Sequence, residues 1–440
     1  MDPLDNTSPP HSPSPPLRVA LVTETFPPEV NGVAMTLGRL TAGLLQQGHC
    51  VQLVRPSQGA SDEDDTGVAS AVGLEQVLVR GISIPNYTDL QFGLPAARRL
   101  RKLWLQQRPD VVHVATEGPL GWSAVSAARQ IGLPVTSSFH TNFHSYSKHY
   151  GMGLLKAPIE HYLRRLHNKT QATLVPTPTL ARDLQERGYQ NVAVMSRGVA
   201  IAQFTAARRS QALRARWGAS EDTVVVLYVG RLAKEKSVGT VITAFHAIQE
   251  RVPSAKLVLV GDGPLRIALQ ESCPRAVFAG VCTGTELAEY YASSDLFLFP
   301  SLTETFGNVV PEAMASGLAV VSYDLAAAAG LITHNHNGLL ITPGDALSFI
   351  NAAAKLATDA PRLRALRQRA APSVEHLDWS AVVDSFVRTL RTVIEIHHGE
   401  NVQSAHLLSF PGYGFNSILN NGALNNGALN TTPQLSPPSA

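Results

Sequence analysis

Three cysteines, Cys50, Cys273 and Cys282, are all that 440 residues carry, and no Cys-x-x-Cys occurs. So odd and scattered a set excludes a disulfide framework and a thiolate zinc site, and it fits a reducing, cytoplasmic compartment. Net charge is only +2, with no basic low-complexity tail and no strip of interleaved cations and aromatics, so no nucleic-acid partner is expected. No apolar run approaches the roughly 18 residues a spanning helix needs. The opening MDPLDNTSPPHSPSPP has no apolar core of the kind a signal peptide requires and reads as a disordered leader, residues 1–16. Charged residues are 16% and hydrophobic ones 44%, the balance of a globular α/β protein long enough for two or three domains.

What is present is organised around residues 294–318, SDLFLFPSLTETFGNVVPEAMASGL. Leu296–Phe299 is an apolar run long enough for one buried strand. Pro300 and Ser301 end it. Pro311 is expected to start a helix, since its fixed φ suits a first turn, and Gly317 to stop it. Strand, polar loop and helix start leave amide N–H groups at a partly positive helix end, a natural seat for phosphate. Glu304 and Glu312 stand eight positions apart around Phe306, Gly307 and Asn308. Carboxylates repel phosphate but suit hydroxyl groups, so the pattern fits a ligand with a sugar at one end, ribose at the other and phosphate between. An acidic residue in a first helical turn can equally be a plain dipole partner.

Elsewhere the chain alternates strand and helix. Leu17–Val22 reads as a first strand, Pro27-Pro28 as a rigid loop and Asn31-Gly32 as an open turn, followed by a helix from Val33 to Gln47. Gly32 lets backbone approach a ligand closely, or simply turns the chain. The acidic run Asp62–Asp65 reads as a solvated loop, not a metal-binding Asp-x-Asp. Further strands are expected at Val51–Val54, Val111–Ala115 and Ala172–Val175, and one ending near His140, which lies where ligands of doubly wound sheets sit but is as readily structural. Two segments, 96–108 and 148–169, read as basic and amphipathic; each can lie on an anionic bilayer or be a core helix with a basic outer face. The second half restarts with Val224–Val229 and Gly230-Arg231-Leu232-Ala233-Lys234-Glu235-Lys236, whose guanidinium and ammonium are placed to neutralise a diphosphate. Gly261-x-Gly263 lacks the third glycine of a dinucleotide fingerprint, and Pro264 occupies its turn. The tail repeat NNGALNNGALN suits disorder.

Several of these stretches, in this order, resemble retaining GT-B glycosyltransferases of family 4: Pro-Pro-x-x-x-Gly (27–32), Ser-Phe-His-Thr (138–141), Gly-Arg-Leu-x-x-Glu-Lys (230–236), Gly-x-Gly-Pro (261–264) and Glu304–x7–Glu312. The resemblance implies an α/β fold of two Rossmann-like doubly wound domains facing across a cleft. The expected boundaries are 17–204 for the N-terminal acceptor domain, 205–378 for the nucleotide-sugar domain, 379–397 for a helix crossing back to the first, and 398–440 for a mostly disordered tail. It further implies that Arg231 and Lys236 hold the pyrophosphate of a UDP- or GDP-sugar, that Glu312 meets the ribose, that Glu304 contacts the donor sugar, and that His140 lines the reacting carbon. Backbone near Gly32, Phe306, Gly307 and Asn308 would complete the cradle, with no metal or other cofactor required. Phe-Pro-Pro-x-x-Asn-Gly-Val (26–33) with His140-Thr-Asn-Phe-His144 looks closest to enzymes that glycosylate diacylglycerol or phosphatidylinositol, and so implies a lipid acceptor at an anionic surface and a peripheral place on the inner face of the plasma membrane. Two departures stand out: Gly198-Val199-Ala200 lacks the family's usual Asp, and Leu325-Ala-Ala-Ala-Ala-Gly330 replaces a Gly-Gly-x-x-Glu stretch. A soluble saccharide glycosyltransferase, a nucleotide-sugar epimerase and a non-catalytic nucleotide-sugar-binding protein remain as rival readings.

Overall fold

Short runs dense in Val, Leu and Ile become strands here because helices cover both faces of a parallel sheet, leaving no polar face to alternate. The computed structural model describes residues 15–29, 31–57, 72–84, 87–140 and 156–399. The run Asp62–Asp65, the Thr141–His144 stretch, Lys148, His149, Leu154, Leu155, the leader to residue 14 and the tail from 400 lie outside the described residues.

Strands β1 (Arg18–Val22), β2 (Cys50–Pro56), β3 (Leu74–Val79), β6 (Val111–Val114), β7 (Val135–Ser138), β8 (Ala172–Val175) and β9 (Val192–Val194) form a seven-stranded sheet in the order β3-β2-β1-β6-β7-β8-β9, and β4 (Gly81–Ile84) pairs with β5 (Tyr87–Gly93) in a separate hairpin. Every pair in the large sheet is parallel. Strands β10 (Val225–Val229), β11 (Lys256–Val260), β12 (Val277–Gly280), β13 (Leu296–Phe299), β14 (Ala319–Tyr323) and β15 (Leu339–Ile341) form a second, six-stranded parallel sheet, order β12-β11-β10-β13-β14-β15. Two doubly wound domains result, as the resemblance implies. In each, the chain leaves a central strand in opposite directions, between β1 and β6 in the first and between β10 and β13 in the second. The crevices at the carboxyl ends of these pairs are where such sheets take ligands.

The last helix, Trp379–His398, runs one residue beyond expectation and packs against the first domain. Asp378 caps it through Ser380 N–H, and Gly399 ends it at φ 76°. A side chain at Gly43 would come within 2.4 Å of Val383, and Gln47 Nε2 donates to Asp384 at 2.6 Å. Phe386 meets the ring of His113 edge-on at 4.9 Å.

Of the two readings open for the basic segments, both described helices match that of a core-packed helix with a basic outer face. In the helix Ala97–Gln106, Leu100 and Trp104 are buried, Trp104 Nε1 donating to Gln52 at 2.8 Å, while Arg98, Arg99, Arg101 and Lys102 face outward. In the helix Lys156–His167 the stripe Ile159, Leu163 and Leu166 is spent on the first domain's core, His167 is buried, and Arg164 donates to the carbonyl of Arg187. Among the described residues, Ile159, Leu163 and Leu166 are therefore not available to insert in a bilayer. Among the described residues no helix is long and apolar enough to cross a membrane.

Leu325-Ala326 carries a local conflict. Ala326 sits at φ 50°, the left-handed region where a Cβ costs roughly 1 kcal/mol or more, and the adjacent Ala327 N–H donates to the Phe306 carbonyl at 2.8 Å, which holds the turn in place. Ala326→Gly is expected to raise stability by about 1 kcal/mol, read as a thermal midpoint up by about 2 °C with nucleotide affinity unchanged. A fall in the midpoint would mean that the unfolded chain's added freedom outweighs the relieved strain.

Candidate active site

In the second domain the loop after β10 and the loop after β13 meet over the crevice. The first needs glycine at its neck: Gly230 has φ 152° and a Cβ there would lie 2.9 Å from Tyr228 Oη. The Gly261-x-Gly263 turn lies flat against it. A Cβ on Gly261 would sit 2.0 Å from the Gly230 carbonyl, and one on Gly263 2.5 Å from that of Leu232. These glycines serve loop-on-loop contact. Thr303 Oγ1 donates to the Glu235 carbonyl at 3.1 Å, tying the two crevice loops together.

At their junction Lys236 Nζ meets Glu304 Oε1 at 2.5 Å, and Ser301 Oγ donates to the same oxygen at 2.7 Å. Both partners are mostly covered, with side chains 20% and 16% exposed. Gly307, at φ 83°, passes close behind: a Cβ would lie 3.4 Å from Glu304 Cγ. Arg231 stands at the rim, about half exposed, with Nη1 3.4 Å from Glu235 Oε1. A cation this open keeps little energy in its ion pair and is free to change partner.

The helix after the loop begins at Val309, not at Pro311, which occupies its third position, and it ends at Ala315 before Gly317 at φ 76°. The difference has a physical consequence. Proline lacks an N–H, and the Val310 N–H is spent on the Gly307 carbonyl at 3.0 Å. Amide dipoles at this helix end are thus fewer than the sequence suggests, and anion binding falls more heavily on side-chain cations. Glu312 is set one turn in, where Tyr291 Oη donates to its Oε2 at 3.0 Å. Burial raises its carboxyl to about 7, with the Tyr291 bond opposing.

From the first domain come Gly32 and His140. Gly32 is the first residue of the helix Gly32–Gln46, not a free turn, with Asn31 capping it through the N–H groups of Val33 and Ala34. Its missing side chain leaves room: a Cβ would lie 3.5 Å from Arg197 Nη1 and 3.8 Å from Asn308 Nδ2. His140 follows β7 by two residues and is buried. Arg197 Nη2 lies 3.2 Å from its Nδ1. Because arginine can only donate, His140 Nδ1 accepts and the proton resides on Nε2. Burial, and then the Arg197 charge, hold the ring well below the usual histidine range, so it stays neutral. Among the described residues its Nε2 has no hydrogen-bond partner.

Arg197 is the residue that sequence reasoning passed over. It bridges the domains: Nη1 approaches Asn308 Oδ1 at 3.5 Å, and its guanidinium lies 5.9 Å from the centre of the buried Phe306 ring. The structure therefore draws together Gly32, His140, Phe306 and Asn308 around Arg197, with Lys236, Glu304 and Gly307 adjoining. Arg231 remains at the edge, and Glu312 makes its bond deeper in the second domain. A mouth lined by cations and N–H donors, with carboxylates set to either side, can hold a phosphorylated polyol and stabilise charge appearing on its phosphate.

Comparison with known proteins places these residues in context. The family model for glycosyltransferase family 4 matches residues 30–203, and that for glycosyl transferases group 1 matches residues 223–359. A GDP-mannose-dependent alpha-mannosyltransferase of Corynebacterium glutamicum is 32% identical over 381 residues, 87% of this chain and 90% of that protein. The alpha-monoglucosyldiacylglycerol synthase of Streptococcus pneumoniae is 26% identical over 321 residues, 70% of this chain and 71% of that protein. Among solved structures, sucrose-phosphate synthase from Thermosynechococcus elongatus superposes with a TM-score of 0.71 at 18% identity, covering 86% of this chain and all of that one, which makes the architecture GT-B.

Proposed function

Since this chain belongs to the group 1, family 4 glycosyltransferases and so is a hexosyltransferase that uses a nucleotide sugar, we propose that it moves a hexosyl group, with retention, from a UDP- or GDP-sugar to a hydroxyl of a membrane lipid such as diacylglycerol or phosphatidylinositol. The observation that carries the site assignment is the Lys236–Glu304 pair, held at the second domain's crevice beside residues from the first. Lys236 exchanges Glu304 for the donor's diphosphate, with Arg231 swinging in from the rim. Glu304, released, accepts from sugar hydroxyls. Glu312 accepts from the ribose, and the backbone of Phe306, Gly307 and Asn308, with Gly32 opposite, closes around phosphate and sugar. His140 offers its Nε2–H beside the reacting carbon.

In the transfer step the anomeric carbon–phosphate oxygen bond breaks as the acceptor oxygen bonds to the same face of the carbon. The acceptor proton passes to the departing phosphate oxygen, so no separate protein base is needed. Charge that grows on that phosphate is met by Lys236 and Arg231, which makes a divalent metal unnecessary. Glu304 is poorly suited to act as a glycosidase-type nucleophile, because its Oε1 is held by both Lys236 and Ser301.

The lipid acceptor is supported by the name of the Streptococcus pneumoniae relative and by the outward basic face of the helix Ala97–Gln106. Cations so placed gain about 1 kcal/mol each near an anionic leaflet and hold a protein at its cytoplasmic surface. The test incubates the protein with radiolabelled UDP- or GDP-hexose and anionic vesicles that contain diacylglycerol or phosphatidylinositol. We expect label in the organic phase, in a yield that falls as salt is raised. Label only in water-soluble saccharide, independent of salt, would favour a soluble acceptor instead.

A further inference from the structure

We propose that Arg197 is a third cation for the donor's diphosphate, supplied from the first domain so that the leaving group is gripped from both sides of the cleft. This rests on the nucleotide-sugar reading above and adds to it a residue that the family motifs quoted earlier do not contain.

The argument starts from charge. Arg197 is 6% exposed, yet among the described residues no carboxylate lies within ion-pair distance of it. Its hydrogen bonds go to the neutral ring of His140 and, at 3.5 Å, to an amide oxygen of Asn308. Among the described residues its Nε has no partner. Desolvation pulls the guanidinium down to about 10, only partly offset by the more distant charge of Glu304. That carboxylate is already engaged by Lys236. A buried cation that lacks an anion is costly to keep, and evolution ordinarily pairs or removes it.

Location tells which anion would answer it. Gly32 leaves its open side toward Arg197 Nη1, and Asn308 and Phe306 of the crevice loop lie against the guanidinium. Alongside stands His140 Nε2–H, a second buried donor without a partner among the described residues. Two partnerless donors and a positive charge suit an oxygen anion better than a sugar hydroxyl, which would also need somewhere to donate. A planar guanidinium donates two parallel N–H groups to phosphate. The nucleotide's first phosphate is held through the ribose side of the second domain, near Glu312. The terminal phosphate, which carries the sugar, is the one that reaches the first-domain wall. Arg197 on that phosphate also explains why this cation comes from the opposite domain: a bound diphosphate then links the two halves, and charge that develops on departure is met from both.

The experiment measures binding by calorimetry, with EDTA present, of UDP, UMP, GDP and GMP to the full chain and to Arg197→Gln. For whichever diphosphate the wild type binds, Arg197→Gln is expected to weaken it about ten- to a hundredfold while the matching monophosphate changes less than about threefold. A purely structural Arg197 would weaken both alike, and that result overturns the proposal, as does unchanged diphosphate affinity. Arg197→Lys serves if the glutamine variant fails to fold. It keeps the charge but not the fork, and the diphosphate is then expected to weaken about fivefold or more against a steady monophosphate. Failure of the wild type to bind either diphosphate would remove the nucleotide-sugar site itself, and this proposal with it. Wild-type binding with an unmoved ratio removes only the role of Arg197.

Discussion

Lys236→Ala lowers kcat/KM for sugar transfer about a thousandfold, with the thermal midpoint nearly unchanged. Two effects add. The ammonium that meets the departing phosphate is lost, and removal of a single preorganised donor from such a position costs about a hundred- to a thousandfold. In addition, Glu304 loses the partner that Lys236 provides at 2.5 Å, so an uncompensated carboxylate faces the incoming diphosphate. The stability cost is small, because both side chains keep some contact with water and Ser301 still donates to Glu304. Lys236→Arg restores charge but not the compact ammonium, and recovers part of the rate. Steady-state kinetics on the three proteins, with a melting curve for each, checks this. A Lys236→Ala enzyme within about tenfold of wild type would take the diphosphate away from this crevice.

Glu312→Gln is expected to separate stability from function. Burial raises the Glu312 carboxyl from 4.5 to about 7. Between those values the unfolded chain has released the proton and the folded chain still holds it. The folded state therefore binds more protons, and stability falls as pH rises from about 4.5 to about 7, staying lower above that. The shift corresponds to an upper bound of about 3 kcal/mol. Glutamine does not titrate and can still accept from Tyr291 Oη, so the midpoint of the variant should exceed wild type by an amount that grows from about pH 5 to about pH 8. Wild type alone cannot reveal this. Glu24, raised to about 7 chiefly by burial, adds to the fall, whereas His113, lowered by burial to about 3, loses stability as pH drops. The difference between variant and wild type isolates the one group. At the same time KM for the nucleotide sugar rises about tenfold, since an amide is a weaker acceptor for ribose hydroxyls than a carboxylate. A midpoint difference that stays flat with pH would show that Glu312 is ionised and at ease in the folded protein.

Much of the architecture could be read directly. Leu296–Phe299 and Ala172–Val175 are strands at the expected residues, because a doubly covered parallel strand is simply an apolar run. Gly317 and Gly399 mark helix ends by their left-handed backbone. What escaped was encoded otherwise. The helix Pro119–Gln130 buries Gly121, Ser123, Ala124, Ala127 and Ala128 beside only two larger residues, Leu120 and Val125, so most of its inward face is small and leaves little periodic signal. The hairpin β4–β5 mixes polar and apolar residues outside the main sheet.

In the site, the glycine loops and the Glu304–x7–Glu312 stretch announced themselves through spacing. Spacing could not show that Lys236 and Glu304 face each other, nor that Pro311 lies inside the helix and not at its start. Arg197 was hidden for a plainer reason. Its role depends on Asn308, 111 positions away, and on His140, 57 positions away, and nothing in Ser196-Arg197-Gly198 marks such partners. Nor could spacing show that Glu312, read either as a ribose contact or as a helix-start acid, is buried against Tyr291, which is a tertiary fact.

The most direct measurement is a crystal structure of the protein with UDP or GDP, grown in EDTA. The account predicts the terminal phosphate within about 3.5 Å of Lys236 Nζ, with Lys236 parted from Glu304 and no metal on the phosphates. A diphosphate bound elsewhere, or at this crevice with Lys236 still bonded to Glu304, would contradict it.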